Sequence, residues 1–133
     1  MHWRGCATII CAAFLFAAPA GASTADRQGC DLDVVDADTD FWAGPIAACT
    51  RVIDDEHESP KNRSCAHFRR GHFHWLKQDQ PVANADLGQA IRLDPGNAAA
   101  YGLRAWTSDD SEMSKADLDK WAELGGSADC RFE

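Results

Sequence analysis

Cations are scarce in this chain. Lys and Arg number 13 against 21 Asp and Glu, a formal net charge of −8. That shortage argues against nucleic acid or an anionic membrane surface as a partner, because both reward clustered Lys and Arg. Catalytic signatures are missing as well. There is no Gly-x-Ser-x-Gly elbow, phosphate loop, His-Glu-x-x-His or Cys-x-x-Cys, so nothing points to an enzyme or to a resident cofactor. No alternating strand pattern of useful length appears. Past the N-terminus, no apolar run is long enough to span a bilayer.

The N-terminus itself reads as a secretory leader. Met1-His2-Trp3-Arg4 precedes an apolar run from Cys6 to Ala18, and Ala18-Pro19-Ala20 or Ala20-Gly21-Ala22 offers small residues for cleavage. A leader over 1–22 would carry away Cys6, Cys11 and Arg4. The remaining chain holds 12 basic residues against 21 acidic ones, about −9. Four cysteines stay: Cys30, Cys49, Cys65 and Cys130. An even count in a small exported domain reads as disulfides, with three pairings open. Cys30–Cys49 is the first choice, clipping the N-terminal segment to the first helix. It leaves Cys65–Cys130 to tie the tail to the second. These features point to an exported protein, periplasmic or secreted.

Residues 23–40 show no period and carry Asp31, Asp33, Asp36, Asp38 and Asp40, so an extended acidic segment is expected. Counted from Asp36, a calcium loop would need glycine at Phe41 and glutamate at Ala47. Asp40 is better read as a helix cap. Five helices follow from 3.6-residue periodicity and stop signals, at about 41–54, 63–78, 81–93, 97–108 and 112–124. Asp79 with Pro81 opens the third, Pro95 closes it, and Gly125-Gly126 ends the fifth. Within the third helix, Ala83, Leu87, Ala90 and Ile91 share one face, and its alanines admit a close neighbour. Residues 126–133 form a C-terminal tail.

Ala85-Asp86-Leu87 with Ala90-Ile91-Arg92-Leu93 returns as Ala116-Asp117-Leu118 with Trp121-Ala122-Glu123-Leu124, 31 residues later. A two-helix unit of this length suggests a solenoid. On these residues the chain resembles the tetratricopeptide repeat family. A unit from Ser64 matches at Gly71, Ala83, Ala90 and Pro95, with His67, Arg70 and His74 at positions the family fills with apolar or aromatic residues. A second unit from Ala98 carries Tyr101 and Ala105, with Arg104 and Ser108 off the pattern and Trp121 where a small residue is usual. Helix 41–54 resembles the second helix of a lost unit, and Ala47-Ala48-Cys49-Thr50-Arg51 is similar to the start of small exported bacterial members. The resemblance spans about 40–125. It implies an all-α fold: a short α-solenoid of about five antiparallel helices, one orphan helix plus two hairpins, stapled by disulfides. Two and a half units bury little, and disulfides worth about 2–4 kcal/mol each would offset that.

The resemblance also implies a concave groove lined by Cys65, Phe68, His72 and Trp75, then Ala99, Gly102, Trp106 and Asp109. Phe68, Trp75 and Trp106 would form an aromatic floor, with His72 and Asp109 as polar handles. Aromatic anchors in a groove suit a peptide. The competing reading is that these rings are core, with the tail folded over them. Cys65, His67, His72 and His74 invite a metal, but no pair has the i, i+4 spacing of helical ligands. His67 and His74 share a face yet lie about 10 Å apart along the axis, so no metal site is expected. Both should pack with the polar ring edge outward. The resulting expectation is a monomeric, non-catalytic interaction module for an unidentified protein or peptide, with metal or thiol handling through Cys65 and the nearby histidines as the alternative.

Overall fold

The computed structural model describes residues 21–32 and 39–133. Most of the expected leader, with Cys6 and Cys11, lies outside the described residues, as do Asp33, Asp36, Asp38 and the side chain of Asp40. The described residues form six α-helices and one 3-10 turn, with no strand. They are α1 (Thr24–Cys30), the turn Thr39–Trp42, α2 (Ala43–Asp54), α3 (Pro60–Leu76), α4 (Gln80–Leu93), α5 (Ala98–Thr107) and α6 (Ser111–Glu123). No helix among them is long and apolar enough to cross a membrane.

The segment 23–40 was expected to be extended and acidic, and its first part is helix α1 instead. Ser23 and Asp26 close a capping box: the Ser23 side chain accepts from Asp26 N–H, and the Asp26 carboxylate accepts from Ser23 N–H. Those bonds hold the Asp26 carboxyl at about 2, the Ser23 amide contributing most and Arg51 adding to it. Tertiary ties then fix so short a helix, since seven residues cannot hold alone. Arg27 pairs with Glu58, Arg51 with Asp26, and buried Cys30 meets Cys49.

The other helices start and stop for local reasons. Ser59 accepts from Asn62 N–H and Pro60 takes the first position, so α3 begins three residues before the expected 63. Asp79 does occupy the cap of α4, but its side chain makes no capping bond. Trp42, not Asp40, sits at the cap of α2, where no side chain caps. Asn97 caps α5 and Asp110 caps α6 through side-chain acceptors. Gly125 and Gly126 have φ of 95° and 68°, the left-handed region that glycine enters freely.

Helices pack chiefly on their neighbours in sequence, α3 on α4 and α5 on α6 above all. Two apolar clusters result, with α3 between them. One joins Cys30, Trp42, Ala48, Cys49, Val52 and Ile53 to Ala66 and Phe73 of α3. The other joins Phe68 of α3 to Leu87, Ala90, Ala99 and Ala100. Close approach of α4 depends on Gly71: a Cβ there would lie 3.1 Å from the Ala83 carbonyl oxygen and 3.3 Å from Leu87. Cys30–Cys49 and Cys65–Cys130 stand at disulfide distance, with Cα atoms 4.7 and 5.6 Å apart.

Candidate functional site

Helical spacing puts Phe68 and His72 on one face of α3, and Ala99, Gly102, Leu103 and Trp106 on one face of α5. The structure brings these six together around a cavity of about 270 Å³, completed by Leu118 and Trp121 of α6 and Ala128 of the tail. Phe68 is its floor and belongs to the core, being 5% exposed. Trp106 is its open wall, at 80% exposed. Trp75 stands just outside, stacked on the His72 ring with centroids 5.7 Å apart and planes at 21°.

Three expected groove positions, Trp75, Asp109 and Cys65, are not among the residues around the cavity. Asp109 does not join the lining; α5 ends at Thr107, so Asp109 sits in the following turn, where no helical register aims it inward. Cys65 is fully buried and paired with Cys130, so it lines nothing. Trp121 and Leu118 are lining residues that the groove pattern missed. The signal was Gly102, whose missing side chain makes room: a Cβ there would lie 3.0 Å from the Trp121 ring. Trp121 therefore folds inward onto α5, and its indole Nε1 donates to the Ser127 carbonyl at 3.0 Å.

Behind the cavity, two ion pairs join the helices of each packed pair. Arg70 of α3 grips Asp86 of α4 with both arms, at 2.9 and 2.8 Å. Arg104 of α5 grips Asp117 of α6 in the same way, at 2.7 and 2.8 Å. Both aspartates are buried and belong to the repeated Ala-Asp-Leu triplet. His67 Nδ1 also lies 2.9 Å from Asp86 Oδ1. Its polar edge thus points inward, the reverse of the outward edge expected, because a buried carboxylate needs that partner. Burial pushes the Asp86 carboxyl up, but His67 and Arg70 bonding outweighs it and the net displacement is downward. Burial lowers the basicity of His74, whose Nδ1 lacks a hydrogen-bond partner among the described residues.

The tail decides how much of the groove is open. Cys130 bonds Cys65, Arg69 Nη2 donates to the Cys130 carbonyl at 3.0 Å, and Glu133 N–H donates to Asn62 Oδ1 at 2.8 Å. Phe132 packs on the first apolar cluster. The tail therefore lies along the Asn62–Arg69 end of α3, while Trp75 at the other end is exposed. Of the candidate metal ligands, Cys65 is bonded to Cys130 and His67 Nδ1 lies against Asp86. Among the described residues, no group of three His, Cys, Asp or Glu is placed to hold a metal ion.

Comparison with known families, characterised proteins and solved structures finds no match for this chain. The described residues make an all-helical fold with two cysteine pairs at disulfide distance and an apolar cavity beside the exposed Trp106.

Proposed function

We propose that this chain is a non-catalytic interaction module of the cell envelope or secreted space, binding a peptide or partner protein in a groove of the tetratricopeptide kind. The observation that carries the reading is the 270 Å³ apolar cavity, open beside the 80% exposed Trp106. A large exposed ring at the lip of an apolar pocket supports the reading of a binding surface. The order of contacts between α3 and α4 supports an antiparallel pair: Ser64 bonds the Ala90 carbonyl, His67 meets Asp86, and Gly71 faces Ala83. Helix α2 packed on α3, ahead of the two pairs, fits a truncated solenoid. The paired cysteines and the leader-like N-terminus support export into an oxidising compartment.

Fluorescence titration of the oxidised mature protein with peptides carrying one central Phe or Leu tests this. Saturable binding that Trp106→Ala weakens about tenfold or more, with circular dichroism unchanged, is the expected result. Equal affinity in the variant would remove the groove from the account.

A further inference from the structure

We propose that export cleaves this chain between Ala20 and Gly21, and that the Gly21 ammonium so created docks on the Asp55 carboxylate and seats the N-terminus against the first apolar cluster. The proposal rests on the leader reading of the sequence and selects one of its two cleavage points.

Both points satisfy the small-residue rule. Ala18-Pro19-Ala20 would release a chain starting at Gly21, and Ala20-Gly21-Ala22 one starting at Ser23. The fold separates them. The Ala22 amide donates to Asp55 Oδ2 at 2.6 Å, across 33 residues of chain. Ala22 also packs on the cluster that holds Cys30, Trp42, Cys49 and Val52. A cut after Ala22 would discard both contacts, and α1, with only seven residues, depends on such ties. A cut after Ala20 keeps them.

Gly21 meets the same carboxylate. A Cβ there would lie 2.6 Å from Asp55 Oδ2 and 3.2 Å from its Cγ, so a side chain at this position would push the carboxylate away. The surroundings are acidic. Asp26, Asp54, Asp55 and Glu56 line a pocket with Gly21 and Ala22, against Arg51 and His57. Arg51 is paired with Asp26, and the exposed His57 ring meets Asp55. Asp55 is held below its ordinary range by the His57 amide first and the Ala22 amide next, so it is an anion through neutral pH.

Cleavage changes the charge at this spot. One water hydrolyses the Ala20–Gly21 amide. Its oxygen goes to the Ala20 carboxylate, and its two protons go to the Gly21 nitrogen, which becomes an ammonium. A neutral peptide N–H is thereby replaced by a cation beside Asp55. A neighbouring carboxylate raises an α-amino group above its ordinary value of about 8. The pair therefore contributes fully below about pH 8 and is lost as pH rises through the raised folded value.

The full-length chain, expressed in a bacterial host and recovered from the exported fraction, is read by intact mass and N-terminal sequencing. A start at Gly21 is expected. A start past Gly21 overturns the proposal while the leader reading stands; retention of Met1 fails the leader reading as well. In the Gly21 product, the Gly21 Hα and Cα signals followed by NMR against pH should titrate about half a unit or more above the ordinary α-amino value. The titration should fall back toward that value in Asp55→Asn of unchanged helicity. An ordinary value in the natural chain overturns the docking. A chain made to start at Ser23 should melt several degrees lower than the one starting at Gly21, and equal melting would also count against the seat.

Discussion

Removing the Asp86 carboxylate would strand two groups at once, the Arg70 guanidinium and the His67 ring, both facing into the α3–α4 seam. Asp86→Ala should therefore cost about 3–5 kcal/mol, read as a drop in melting temperature. A loss under 1 kcal/mol would show the network to be incidental. His74 supplies a pH test. Burial lowers its basicity in the fold against the pull of Asp86 and Asp79, with Arg70 and Lys77 adding to the lowering. The neutral ring is the folded form, so its contribution is present above the unfolded value of about 6.5 and is lost as pH falls below it. Between pH 8 and 5 the melting temperature of the natural chain should fall more than that of His74→Phe; parallel curves would contradict this. Arg70 and Arg104 had looked like departures from a repeat pattern. Each answers a repeated aspartate 16 or 13 residues on, and the repeat of the triplet was the legible half of that pairing.

At the scale of elements, periodicity and punctuation fixed the five long helices to within three residues at either end. Pro81, Pro95 and the Gly125-Gly126 pair act through backbone geometry alone, so they can be read without knowing the neighbours, whereas Pro60 opened α3 unread. Helix α1 could not be read that way. It has only seven residues and persists through Cys30, Arg27 and the packing of Ala22. Its local signal was the Ser23–Asp26 box. The inward fold of Trp121 was hidden for a related reason: whether a large ring lies on the outside of α6 or against α5 depends on Gly102, one element away. The seam between α3 and α4 tests the helix-face assignment. Leu87 is fully buried there, and Leu87→Asp would put an unpaired charge beside Phe68 and Ala90. Loss of cooperative unfolding is expected; an unchanged melting curve would refute the face assignment.

For the whole molecule, closure depends on the cysteine pairs, one spanning 19 residues and the other 65. Loop-closure entropy puts these at about 3 and about 4 kcal/mol respectively. Cys65→Ser with Cys130→Ser should thus lower the melting temperature more than Cys30→Ser with Cys49→Ser, and should also release the tail from Arg69 and Asn62. Equal losses would mean the tail contributes nothing to the closed form. The open groove is the central claim, and the indole N–H signals of the mature chain report on it one ring at a time. In an NMR titration with a Phe-centred peptide, the Trp106 and Trp121 signals should shift in step with saturation. The signal of Trp42, buried at 6% exposure in the first cluster, should stay in place. Movement of Trp42 with Trp106 unmoved would contradict the account.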